Sequence, residues 1–309
     1  GPDDSGLYVD GCIGLGHTRL KIIDLSPAAR QPMTNEDGTL WIVFNGEIYN
    51  YRELRATLKA LGHPFRSGSD TEVILHLYEE KGDRCVEDLD GMFAFALWDA
   101  RRRTLLLARD RVGKKPLFFY RDKGLLAFAS EIKALLAHPS VPVEIDRTAI
   151  PFYFLYGYVP APGSFYKGIS SLSPGHTLTV TPEGRLQPRQ YWDLSFSAGS
   201  AGGPAPANDG VVADSVRELV TEAVRKRLVA DVPLGAFLSG GIDSSIVVGI
   251  MSRLTREPVK TFSIGFSGDK AFDETPYARL AAQHFKTDHT EFVVEPRASD
   301  FPWAPRPCA

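Results

Sequence analysis

From residue 7 to about residue 98 the chain alternates short apolar runs with turn residues, which predicts strands at 13–15, 20–23, 40–44 and 93–97. One helical period interrupts them: Asp70 is placed to cap it, and Val73, Ile74, Leu77 and Tyr78 share a face. Further strands at 105–108, 117–120 and 126–129 and a short helix over 131–136 complete a strand-dominated α+β domain over residues 1–138. Residues 139–194 carry Pro, Gly and aromatics, a turn at Ser173-Pro174-Gly175-His176 and edge-like strands at 178–180 and 190–192, so they read as a tether packed on its neighbours. The small residues of 195–209 predict a linker, and 139–210 as a whole is a connecting segment.

The period then changes. Val212, Val216, Leu219, Val220, Ala223, Val224 and Leu228 form one apolar helical stripe. A short run at 234–238, a Gly-rich turn at 239–243, an apolar helix to about Leu254, a strand at 259–266, a helix opening at Thr275-Pro276 and a strand at 292–294 follow. Strand, helix, strand, helix, strand in this order predicts a parallel doubly wound sheet over 211–309.

Composition narrows the partners. At 309 residues, two domains are the default, and 43% hydrophobic with 24% charged residues argues against disorder. A formal net charge of -3 gives no basic footprint for nucleic acid. No apolar run is long enough for a membrane span and no basic leader opens the chain, which points to a cytoplasmic protein. Cys12, Cys85 and Cys308 lie far apart and in no Cys-x-x-Cys pattern, against a disulfide scaffold or structural zinc. His17, His76 and His289 lack ligand spacing, and ordinary packing or surface roles are expected for them.

Two segments carry chemistry. Ser239-Gly240-Gly241-Ile242-Asp243-Ser244-Ser245 stands between a strand and a helix start, where open α/β sheets gather phosphates on main-chain N–H groups. It has no Lys and is no ordinary P-loop; Asp243 in a phosphate cradle implies a bridging Mg²⁺. An isolated Gly-Gly is more often a plain turn. In Phe44-Asn45-Gly46-Glu47, the Asn45 side chain and Gly46 N–H can donate to an oxyanion formed when a thiolate attacks a carboxamide. Arg19 can clamp an α-carboxylate, and Glu47 with Asp70 can take an α-ammonium. Taken alone, Asn-Gly is more often a hairpin turn.

Residues 238–245, with Thr261 to Phe266, Asp273 to Ala278 and Thr287-Asp288-His289, resemble the pyrophosphatase-type nucleotide domain of asparagine synthetases. Residues 1–4, 14–24, 45–51, 68–77, 91–99 and 108–116 resemble the glutaminase domain of the same family, in the same order. The resemblance implies an N-terminal nucleophile hydrolase sandwich, that is, a class II glutamine amidotransferase, followed by a partial α/β ATP-binding domain. It also implies ATP-dependent conversion of aspartate to asparagine with ammonia from glutamine, releasing AMP and pyrophosphate. By the resemblance, Arg19, Asn45, Gly46, Glu47 and Asp70 bind glutamine, with Asn45 and Gly46 as the oxyanion hole. Leu238 and Ile264 lie against adenine and ribose; Ser239, Gly240, Gly241 and Ser244 hold phosphates; Asp243 binds Mg²⁺.

The family's nucleophile is an N-terminal Cys upstream of Gly1, and the aspartate-binding residues lie beyond Ala309, so truncation at both ends is expected. Residues 297–309, with three prolines and no periodicity, are expected to be a tail. Cys12, in an apparent strand, is expected to be a buried structural thiol rather than a substitute nucleophile. Rivals are a family member acting on another carboxylate acceptor in cell-surface or natural-product biosynthesis, a non-catalytic glutamine or nucleotide sensor, and a nicotinamide-binding dehydrogenase. The last lacks Gly-x-Gly-x-x-Gly after its strand. A homodimer is the commonest closed assembly.

Overall fold

The computed structural model describes residues 1–122, 124–195, 208–267 and 273–295, and the chain divides into two compact units, 1–200 and 201–309. Most of the linker and all of the expected tail lie outside the described residues. The first unit opens with strands β1 (Asp4–Asp10), β2 (Ile13–Arg19), β3 (Met33–Thr34) and β4 (Leu40–Ile48), then helices α1 (Tyr51–Ala60) and α2 (Asp70–Lys81). β5 (Gly91–Asp99), β6 (Thr104–Arg109), β7 (Phe118–Asp122), β8 (Leu125–Ala129), α3 (Ile132–Leu136), α4 (Ile150–Tyr156), β9 (Ile169–Ser171), β10 (His176–Val180) and β11 (Leu186–Gln190) complete it.

Six strands form an antiparallel sheet in the order β11-β10-β6-β5-β4-β3, and three more form a sheet in the order β8-β7-β9. Val43, Ala94, Ala96, Leu107 and Leu178 on one face of the large sheet pack with Leu15, Leu117 and Leu172, bringing the β1–β2 hairpin and the small sheet into one sandwich core. β5 is buried along almost its whole length, as a strand covered on both faces must be, and α2 packs against β3 and β4. Strands β9, β10 and β11 are shared with these sheets, so residues 169–190 are structural members of the first unit.

Several local expectations are corrected. Residues 20–23 form no strand, because the chain bends there around the Arg19 side chain. The strand expected at 40–44 continues to Ile48, running through Asn45-Gly46 in register with Ala94 and Phe93, so the turn that Asn-Gly favours in isolation does not form. Ser69 caps α2 by accepting from Thr71 N at 3.1 Å, and Asp70 is the first helical residue. The strand expected at 190–192 lies at β11 and ends at Gln190. Cys12 is exposed, in the two-residue turn between the paired Asp10 and Ile13, so it is not a buried thiol. Helices α1 and α4 and strand β1 were not anticipated.

The second unit runs α5 (Asp209–Lys226), β12 (Gly235–Phe237), α6 (Ile242–Leu254), β13 (Lys260–Phe266), α7 (Thr275–Phe285) and β14 (Asp288–Val294). Its three strands pair in parallel in the order β12-β13-β14, as the alternating pattern predicts. Leu238, Val248, Ala278 and Ala282 form its core where β12, α6 and α7 meet. Among the described residues no helix is long and apolar enough to cross a membrane.

Candidate functional site

The outer edge of β4 organises the first unit's cleft. Phe93 donates its N–H to Asp110 Oδ2 at 3.1 Å and accepts Asp110 N at 2.8 Å, so its main-chain groups face β6 and its pairing with Gly46 is the non-hydrogen-bonded kind. The N–H groups of Phe44, Gly46 and Ile48, which alternate in step, therefore all point away from β5. Phe44 N donates to Gln31 Oε1 at 2.6 Å and Ile48 N to Asp70 Oδ2 at 2.9 Å. Between these two, the Gly46 N–H is aimed into a cleft of about 880 Å³ lined by Arg19, Asn45, Gly46, Glu47 and Asp70. The five candidates, from three separated segments, thus meet at one cavity.

Gly46 is glycine for a packing reason as well. A Cβ there would lie 2.2 Å from Met92 O and 2.8 Å from Phe93 Cα, because β4 and β5 close tightly at this point. Asn45, next to it, has an exposed side chain. Asp70 is only 5% exposed, and burial raises its carboxyl from an ordinary 3.8 to about 6 against the lowering effect of the Ile48 N–H and Ser69 hydroxyl. The fold thus keeps a titratable carboxyl buried beside the cleft.

Arg19 is placed differently from the open fork expected of it. Its side chain is buried, with Nη1 donating to Ser26 O at 3.2 Å and Nη2 to Ile23 O at 3.1 Å and to Asp24 O. The guanidinium thus holds the 23–26 loop, and only its remaining N–H groups are left for a ligand. Gln31 and Ser69 went unrecognised in the sequence. Each is a buried polar residue that orders a neighbour of the cleft, and neither lies in a motif that marks it.

In the second unit the loop 239–243 enters α6 with Gly241 as N-cap and no side-chain cap, unlike α2 and α5. The first-turn N–H groups therefore stay open to a ligand. Ser239 Oγ and Ser244 Oγ lie 3.0 Å apart, and Ser244 Oγ also donates to Gly241 O at 3.2 Å, so the hydroxyls satisfy one another across the loop. Asp243 is exposed in the first turn. Gly240 has φ +79°, and a Cβ on it would lie 2.3 Å from Tyr277 C, so contact with α7 demands glycine there. Leu238 is 1% exposed and belongs to the core, and its N–H donates to Phe262 O at 2.8 Å, so its side chain is closed to a nucleotide; Ile264, at 48%, is open.

An antiparallel sandwich with a polar cleft, followed along the chain by a parallel sheet with an uncapped helix start, is the fold of a class II glutamine amidotransferase domain followed by an asparagine synthase-type domain. Residues 1–192 match the family described as a glutamine amidotransferase domain, and residues 215–302 the family described as asparagine synthase. The chain belongs to the family of glutamine amidotransferase domains, and its second unit carries a match to the asparagine synthase family. It is 39% identical to asparagine synthetase [glutamine-hydrolyzing] 3 of Bacillus subtilis over 95% of this chain and 49% of that protein. It is 37% identical to putative asparagine synthetase [glutamine-hydrolyzing] 2 of Methanocaldococcus jannaschii over 96% of this chain and 60% of that protein. It is also 36% identical to amidase chry2 of Gibberella zeae over 93% of this chain and 44% of that protein. The chain thus spans about half the length of these curated relatives.

Proposed function

We propose that the protein takes part in ATP-dependent amide formation, using ammonia from glutamine to convert aspartate to asparagine with release of AMP and pyrophosphate. The observation that carries this reading is the convergence of Arg19, Asn45, Gly46, Glu47 and Asp70 on one cleft. Glutamine's α-ammonium is assigned to Asp70 and Glu47, and its α-carboxylate to the free N–H groups of Arg19. Its carboxamide lies at Asn45 and Gly46, whose side-chain and main-chain donors stabilise the oxyanion as it forms. In the second unit, Gly240, Gly241, Ser239 and Ser244 receive the phosphates of ATP, with Ile264 beside the nucleoside. One exposed carboxylate with hydroxyls nearby suits Mg²⁺, which keeps several waters and leans on substrate phosphates. Asp243 would hold it, and the ion would supply charge neutralisation at the phosphates.

Titration of the chain with L-glutamine tests the cleft. Binding is expected to weaken as pH falls below about 6, where Asp70 takes a proton, and Asp70→Asn is expected to weaken it about tenfold or more at pH 7.5. Equal affinity of wild type and variant would remove the assignment. The product of the complete gene, given glutamine, ATP, Mg²⁺ and aspartate, is expected to form asparagine and AMP in equal amounts. A second reading, amidation of a different carboxylic acid, is favoured by a relative named an amidase at nearly the same identity as those named synthetases. It predicts that aspartate fails while another acid in a panel is amidated.

A further inference from the structure

Further along α2 from its cleft-lining first turn, the fold assembles a cluster that residue spacing does not reveal. His63, in the loop between α1 and α2, and His76, on α2, bring their ring centroids within 4.8 Å. Both present Nδ1 to one oxygen, Glu79 Oε2, at 3.2 Å from His63 and 2.8 Å from His76. A second carboxylate stands behind each ring: Glu80 Oε1 at 2.8 Å from His63 Nε2, and Glu36 Oε1 at 3.7 Å from His76 Nε2. The other oxygen of Glu79 accepts Asn35 Nδ2 at 2.8 Å. His76 is 1% exposed, and its Nε2 and the Glu36 Oε1 it faces are both buried without a hydrogen-bond partner.

Proton counting shows what this arrangement lacks. A neutral imidazole carries one N–H and one bare nitrogen. With both protons on Nε2, facing Glu80 and Glu36, two bare Nδ1 atoms converge on a carboxylate oxygen, three acceptors with no donor among them. With the protons on Nδ1, the bare Nε2 atoms face carboxylates instead. A single imidazolium at His63 with His76 protonated on Nδ1 meets the three short contacts but leaves the bare, buried His76 Nε2 facing Glu36 Oε1 at 3.7 Å, and two imidazoliums pack like charges ring against ring. A single divalent cation at the meeting point of the three atoms removes the conflict and lets each Nε2–H turn to its own carboxylate.

The three side chains are close enough for an ion to draw them together. Ligand atoms of the three residues lie within 4.8 Å of one another. Four-coordinate zinc at about 2.0–2.1 Å from its ligands sets them about 3.3 Å apart, so Glu79 Oε2 needs to withdraw from His76 by a few tenths of an ångström. Nitrogen, nitrogen and carboxylate oxygen make a donor set suited to zinc rather than to magnesium or calcium. A carboxylate on the remote nitrogen of each ligating histidine is the usual outer support of such sites.

We propose that His63 Nδ1, His76 Nδ1 and Glu79 Oε2 bind a divalent transition-metal ion of the zinc class, with solvent as the fourth ligand and Glu80 and Glu36 orienting the rings. The ordinary packing role that spacing assigns to His76 is replaced by a ligand role. The ion fastens the loop before α2 to the helix whose first turn carries Asp70, and its effect is structural.

Chelator-treated chain titrated with Co²⁺ and with Zn²⁺ at pH 7.5 tests this. The expected results are one ion per chain, visible Co²⁺ absorption of a four- or five-coordinate site, bleaching of that absorption by Zn²⁺, and a higher unfolding temperature with Zn²⁺. His63→Gln, in a loop and folded by circular dichroism, is expected to abolish the absorption, and Glu80→Gln to lower affinity about tenfold. No stoichiometric binding by the wild type, or undiminished binding by both His63→Gln and Glu79→Gln, would overturn the proposal.

Discussion

At the scale of single residues, Asp70 shows how a site charge sets a pH profile. Its folded carboxyl, raised by burial to about 6 from 3.8, binds a proton more tightly than in the unfolded chain. Its contribution to stability is therefore full below pH 3.8 and is lost as pH rises to about 6, after which the curve is flat. Two pH units correspond to about 3 kcal/mol at most. Asp70→Asn is expected to remove this slope, gaining up to about 3 kcal/mol at pH 7.5 and nothing near pH 4, as read from urea midpoints across pH. Parallel curves for the two proteins would contradict the burial argument. Because the same substitution is expected to weaken glutamine binding, stability and ligand affinity should move in opposite directions. Gly46→Ala makes a different point: a Cβ 2.2 Å from Met92 O forces β4 and β5 apart, and a loss of about 1–3 kcal/mol is expected by denaturant unfolding.

Among the elements, α2 links packing to the cleft, and its start depends on Ser69, which caps the helix and also donates to Asp70 Oδ1 at 3.3 Å. Ser69→Ala is expected to cost about 1 kcal/mol in urea unfolding, and an effect near zero would mean that other contacts hold the helix end. The same helix shows where sequence reasoning reaches and where it stops. Its apolar residues gave away its presence, but adjacent Ser69 and Asp70 are both good caps, and only the backbone decides between them. Helix α1, though not anticipated, was legible, since Tyr51, Leu54 and Leu58 recur at helical spacing on one face with mostly polar residues between them. Strand β4 was cut short at Phe44 because Asn-Gly has strong turn preference; pairing with β5 overrides it, and that pairing is a long-range fact. The parallel order of β12, β13 and β14 was legible, since local alternation with α6 and α7 and the handedness of crossovers leave few alternatives.

For the whole molecule, the identities of the cleft residues were readable and their states were not. Asn45, Gly46, Glu47 and Asp70 stand in recognisable motifs, whereas the burial of Asp70, the engaged guanidinium of Arg19 and the meeting of His63 with His76 depend on segments that come together only in the fold. The first unit has its own core and shares β9, β10 and β11 with its sheets. Residues 1–195 expressed alone are accordingly expected to unfold cooperatively and to keep the pH dependence of Asp70. Loss of cooperativity would place part of that core's support elsewhere in the chain.

Phe44, Gly46 and Ile48 use the same side of β4, so inserting or deleting one residue between them would exchange inward and outward amides for everything downstream. Side chains in this stretch can drift while the frame stays in place, but the count of residues cannot change by one. Diversification of this pocket is thus confined to swaps, and length variation has to be sought in the loops around it.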